Sequence, residues 1–133
     1  MITKLARVTI IVRDQDEALR FYTEKLGLEI RADFTIGPGM RWLTVAPAGQ
    51  SEVEIVLQQP SGWHDEQERQ QMLDRVGQGT TWVFYTDDCH GDYEALAGRG
   101  VEFVSAPANQ GYGVEAVFHD LYCNTFSLLQ PRQ

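Results

Sequence analysis

The feature that most constrains this chain is that it writes one pattern twice. In the first half "RVTIIVRD" leads into "DEALRFYTEKLG" and then "LEIRADF"; in the second, "TWVFYTDD" leads into "GDYEALAGRG" and then "VEFVSAP". With Asp14 set against Asp88, Gly27 meets Gly100 across a one-residue gap, and Leu28-Glu29-Ile30 meets Val101-Glu102-Phe103. Each shared position has a local physical reason. An aspartate at 14 or 16, and at 87 or 88, can accept hydrogen bonds from the unpaired N–H groups of a first helical turn. Ala18, Phe21, Tyr22 and Leu26 recur at helical spacing, as do Tyr93, Leu96 and Ala97, so each segment has one apolar face. The glycine after each segment suits a left-handed C-terminal cap.

Three strand-like runs follow each helix, at 28–35, 40–46 and 52–58 and again at 101–105, 113–119 and 125–130. The turns between them carry "GPG", "PAGQ", "NQGYG" and "DLYCN", and both halves end alike, in "VLQQP" and "SLLQP". The reading is βαβββ twice, an α+β fold, with one module over about 3–60 and the other over about 78–131 of a single domain, 1–133. Between them "SGWHDEQERQQMLDRVG", residues 61–77, is polar and predicts one short linker helix anchored by Trp63 and Met72. At 133 residues, 43% hydrophobic and 23% charged, the chain has the composition of one soluble globular domain.

A net charge of −8 leaves no basic footprint for nucleic acid and disfavours anionic membranes. Cys89 and Cys123 form neither a CxxC pair nor a disulfide framework, and both are expected as buried thiols. There is no signal-peptide pattern, and no apolar run approaches the roughly 18 residues of a membrane span, so a cytoplasmic protein is expected.

Strand alternation then sorts the polar residues. Val8, Ile10 and Val12 share one face of the first strand, and Arg7, Thr9 and Ile11 the other. In "VEIVL" Glu54 points away from Val53, Ile55 and Leu57, and a carboxylate facing inward from a strand is rarely buried without a partner. Glu54 is therefore the leading candidate for chemistry, as a general base or as an anchor for a cationic ligand. Trp42 and Thr44 are expected beside it. Thr81, Val83 and Tyr85 share a face, whereas Trp82 and Phe84 point to the core. His64 and His90 are expected in solvent and His119 at a surface strand end; none has the i, i+4 partner of a helical metal site. The "GYG" at 111–113 lacks the strand–turn–helix setting of a phosphate loop.

The opening "VTIIVRDQDEALRFYTEKLGLEI", the duplicated module and the tail "AVFHDLYCNTFSLLQ" resemble the vicinal oxygen chelate superfamily of glyoxalases, bleomycin- and fosfomycin-resistance proteins and extradiol dioxygenases. The tail departs from the family pattern at Leu121 and Cys123, where proline and glycine are usual. The resemblance implies curved mixed sheets forming a cup, and a homodimer. Metal-using members place His, Glu, His and Glu on inward strands; carried onto this sequence those positions are Arg7, Glu54, Thr81 and Ser127. One ligand of four remains, and an arginine, which stays protonated in proteins, repels a metal.

The expectation is thus a glyoxalase/bleomycin-resistance-like protein that uses no metal or other cofactor and binds a small organic molecule through Arg7, Trp42, Glu54, Thr81, Tyr85 and Ser127. Arg7 and Glu54, on neighbouring strands, are expected to meet in a forked salt bridge. Two other classes fit the same sequence. One is a lyase or isomerase of the lactoylglutathione-lyase kind, or a dioxygenase, with a divalent metal held by Glu52 and His119. The other is a structural or interaction module without a small-molecule site. Turnover and sequestration of the bound molecule both suit these motifs.

Overall fold

The computed structural model describes residues 1–61, 64–78 and 82–132, and the chain divides into two compact units, Met1–Val76 and Gly77 onward. The first contains β1 (Arg7–Ile11), α1 (Gln15–Arg20), β2 (Glu29–Thr35), β3 (Arg41–Ala46), β4 (Glu54–Gln58) and α2 (Glu66–Asp74). Its sheet has the order β1-β4-β3-β2, with β1 parallel to β4 and the other pairs antiparallel. The second contains β5 (Trp82–Tyr85), α3 (Cys89–Gly98), β6 (Glu102–Asn109), β7 (Gly113–His119) and β8 (Thr125–Pro131). It repeats the same order and directions as β5-β8-β7-β6. The duplicated βαβββ pattern is therefore the architecture. The linker helix forms as α2 within the first unit, capped by Asp65 and Glu68 in a reciprocal capping box. Its expected anchor Trp63 lies outside the described residues, and Met72 is half-buried.

Each sheet carries its helix on one face. In the first unit Ile10, Val12, Leu43, Val45, Ile55 and Leu57 are buried on the same side as Ala18, Phe21 and Tyr22 of the helix. In the second, Phe84 stacks on Phe118 and Phe126, Trp82 meets Phe126 edge-on, and Tyr93 of α3 meets Phe103 at a centroid distance of 4.7 Å. Trp82 and Phe84 are core residues, as the alternation required. We call the opposite side of each sheet its open face.

The two helices are seated by a duplicated tether. Asp14 and Asp88 are the N-caps, accepting at 3.0 Å from the N–H groups of Glu17 and Gly91. The next N–H, of Gln15 or Cys89, donates to the side-chain carbonyl of Gln59 or Gln130, each at 2.9 Å. The side chains of Gln15 and Cys89 in turn donate to the carbonyls of Leu57 and Leu128. Burial pushes the Cys89 thiol up from its ordinary value, so it stays protonated as that donor requires. The shared endings "LQQP" and "LLQP" are thus the receptors for the two helix N-termini. Gly27 and Gly100 follow the helices at φ of 77° and 93°, the left-handed caps expected of them.

Three details differ from the expectation. The first helix does not run as one α-helix through Leu26 but changes to a π-helical turn over Phe21–Lys25, where Leu26 N–H bonds Phe21 and Thr23 Oγ1 bonds the Leu19 carbonyl. β6 extends to Asn109 because its pairing with β7 resumes at Ala108 and Asn109 after register shifts between Phe103 and Ala108, and such irregularities tolerate Pro107. Cys123 is exposed rather than buried, and stands at φ 66° in the β7–β8 turn. There Asp120 accepts from the backbone of Tyr122 and Asn124 and from the Asn124 amide, each at 2.8 Å. This buried aspartate–asparagine pair explains why "D-x-x-x-N" persists in the tail while the residue before the asparagine tolerates no ordinary backbone conformation.

Replacing Gln59 or Gln130 by alanine leaves a helix-terminal N–H without its acceptor, and each variant is expected to lose about 1–2 kcal/mol in urea denaturation. An unchanged midpoint in both would show that the tether does not seat the helices.

Candidate functional site

The parallel register of β1 and β4 sets Arg7 directly beside Glu54. Strand alternation puts both on the open face of the first unit, and there they meet, Nη2 to Oε2 at 3.8 Å. This is one long contact and not the expected fork. Two reasons are visible. The Thr44 hydroxyl, fully buried on β3, donates to Glu54 Oε1 at 2.7 Å and draws the carboxylate toward β3. The Arg7 guanidinium extends over Trp42, its carbon 6.0 Å from the ring centroid, at the edge of cation–π range. The Arg7 side chain is 46% exposed and that of Glu54 22%, so the pair contributes about 0–1 kcal/mol to stability rather than the several expected of a buried fork. A forked arginine does exist on the helix face: Arg41 grips both Asp33 oxygens at 2.8 and 2.9 Å and Asp16 of α1 at 2.7 Å. The hydrogen bond from Arg41 holds the Asp33 carboxyl below its ordinary value.

Phe34 on β2 lies directly opposite Trp42 on β3 and is 53% exposed, so an aromatic strip borders the Arg7–Glu54–Thr44 group. Farther along the same face Ile11 and Gln58 end their strands. They line a cleft of about 300 Å³ whose other wall includes His64, Met72 and Arg75. His64 is half-buried, its Nδ1 contacting the Ser61 hydroxyl at 3.2 Å, rather than free in solvent.

On the open face of the second unit Tyr85 is 75% exposed and Val83 50%, and Val83 pairs with Ser127. Ser127 is buried and donates to Glu115 Oε2 at 2.5 Å; Tyr112 donates to Oε1 at 2.7 Å. Glu115, which the sequence reading did not single out, therefore organises this face. The Ser127 bond first, then the Tyr112 bond, holds its carboxyl below the ordinary value, while its bond to Glu115 raises the Tyr112 phenol. Ser127 also sits two residues farther along its strand than the place corresponding to Glu54: β5 Val83 faces Ser127 as β1 Thr9 faces Val56. Thr81 lies outside the described residues. His119 shares the open face and pairs with Thr125. Glu52 precedes β4 and is exposed.

The described donors around Glu54 do not form a metal-ligand set. Among the described residues no three His, Cys, Asp or Glu side chains gather as a ligand set. Glu54, the one metal-type residue carried over by resemblance, faces a permanent cation and already accepts a hydroxyl proton.

Because the folded pKa of Glu115 is depressed, its bonds add stability above its ordinary value of 4.5, and that contribution is lost as the pH falls through the lowered value. Ser127→Ala is expected to cost about 1 kcal/mol at pH 7 by thermal or urea melting, with the deficit shrinking below about pH 4.5. A deficit independent of pH would show that the hydroxyl does not act through the carboxylate.

UcmS2 matches by structure with a TM-score of 0.87 at 43% identity, covering 97% of this chain and 98% of that one. TnmS3, described as an antibiotic binding protein from Streptomyces sp. CB03234, matches with a TM-score of 0.77 at 31% identity, covering 98% of each chain. A Shewanella frigidimarina protein of unassigned activity is 34% identical over 128 residues, 95% of this chain and 92% of its own length. The family model of the Glyoxalase/Bleomycin resistance protein/Dioxygenase superfamily spans residues 4–126, the whole run of paired strands up to the start of β8, and this chain belongs to that superfamily.

Proposed function

We propose that this protein binds a small organic molecule on the open face of its first module without a metal. The observation that carries this reading is the group Arg7–Glu54–Thr44, a polar array where the resemblance would place metal ligands, set beside the exposed ring of Phe34 and half-buried Trp42. Binding sites for small molecules combine apolar walls with a few placed polar groups, and this face has both. The likeness to TnmS3 supports a role in holding such a molecule, an antibiotic among the candidates. Exposed Phe34 and Tyr85 on the open faces of the two units support the homodimer that the family resemblance implies. Two free cysteines, one of them exposed, support a reducing compartment such as the cytoplasm.

A neutral, polarity-sensitive dye tests the reading. N-phenyl-1-naphthylamine is expected to brighten on binding, with at least a fivefold loss of affinity in Trp42→Ala and no change on adding EDTA. Brightening that survives Trp42→Ala, or that EDTA abolishes, would contradict it.

A further inference from the structure

We infer that the first module's open face selects an uncharged planar molecule that carries a hydrogen-bond acceptor and a donor side by side, such as an aromatic amide or hydroxy-carbonyl compound. The inference rests on the proposed binding role of this face and adds the ligand's chemical class.

Polar atoms on this face remain unused. Arg7 makes no hydrogen bond among the described residues: its nearest anion, Glu54 Oε2, stands at 3.8 Å, beyond hydrogen-bond length. Its N–H donors are therefore available, and a guanidinium has five of them in a planar fork. Glu54 is half used. Oε1 accepts from Thr44 at 2.7 Å, while Oε2 faces only the distant Nη2. One free donor group and one free acceptor atom thus lie side by side, in a gap too wide for them to satisfy each other.

Charge decides which molecules fit that gap. A ligand carboxylate would gain Arg7 but stand against Glu54; a ligand ammonium would gain Glu54 but stand against Arg7. Either pays a like-charge repulsion across a few ångströms on a partly desolvated face. The protein's charge of −8 adds no attraction for anions beyond contact range. A neutral carbonyl and N–H, or carbonyl and O–H, satisfies both groups with no uncompensated charge. The flat shape follows from the neighbours. Arg7 already lies over Trp42, and Phe34 faces Trp42 across the β2–β3 pair, so the surface beside the gap is a strip of rings on which a planar body stacks. Thr44 is a positioning residue: its buried hydroxyl holds the carboxylate away from the arginine and keeps the gap open.

The test uses four naphthalenes of one size: 2-naphthamide, 2-acetylnaphthalene, 2-naphthoate and 2-(aminomethyl)naphthalene. They are titrated into the full chain by ¹H–¹⁵N NMR, which reads millimolar binding. Wild type is expected to bind the amide about tenfold more tightly than either charged probe and several-fold more tightly than the ketone. In Glu54→Gln the order should change toward 2-naphthoate, and in Arg7→Gln toward the ammonium, because each substitution uncovers the charge that remains. Should either variant fail to fold, the order among the four probes in wild type alone still decides. Wild type preferring a charged probe, or binding amide and ketone equally, overturns the ligand class while leaving the binding face intact. If no probe shifts the Trp42 and Phe34 amide resonances, the binding face itself is refuted.

Discussion

The interaction on which the rest of each module depends is the bond from the first helical N–H to a glutamine at the end of the last strand. Gln15 reaches Gln59, and Cys89 reaches Gln130, at the same 2.9 Å. A helix N-terminus has orphan donors that must be met, and here the sheet itself meets one of them. The bond closes a loop through the whole module, because the donor follows its first strand and the acceptor ends its fourth. That closure goes with β1 lying parallel against β4 and with the helix covering one particular face. The other face is left open. The tether survives a change of residue type at its donor end, a glutamine in one module and a cysteine in the other, because both side chains can also donate to the leucine carbonyl behind the glutamine.

Once the helix is fixed to one face, strand alternation decides what the open face contains. Both open faces carry a carboxylate held by a hydroxyl on the adjacent strand, Glu54 by Thr44 and Glu115 by Ser127. In the first pair the acid is on the fourth strand of its module and in the second on the third. The surroundings separate them. Glu115 has both oxygens filled by hydroxyl donors, which satisfies it fully and makes it a structural anchor. Glu54 has one oxygen filled and the other turned toward a guanidinium that does not close on it. On this half-exposed face water can complete both groups, and a ligand that offers the same hydrogen bonds can take the water's place. For that reason the first module, rather than the second, carries the functional proposal.

Much of this was legible in the sequence. The repeat showed the succession of elements because the caps, the glycines and the strand periods each have local causes that act identically in both copies. Placing Arg7 beside Glu54 needed, besides the parity of two strands, the pairing of first and fourth strands that the family resemblance implies. The form of their contact was not legible, since it depends on Thr44 competing for the carboxylate, and a threonine in a strand carries no signal of where its hydroxyl points. Glu115 was missed because "GVEAVFH" reads as an ordinary strand, and its partner Ser127 becomes a neighbour only through the β7–β8 register. The sequence did hold a clue to the true place of Ser127. Aligning "VLQQP" with "SLLQP" sets Ser127 against Val56 and Thr125 against Glu54, which the strand pairing bears out.

The central claim is that Arg7 and Glu54 make an organic-ligand face where relatives of this fold can hold a metal. Native mass spectrometry of the untagged protein, offered equimolar Fe, Ni, Mn and Zn at neutral pH, tests it most directly. The account predicts a chain mass with no metal added, or with an organic adduct alone. A stoichiometric metal adduct that disappears in Glu54→Ala would contradict it.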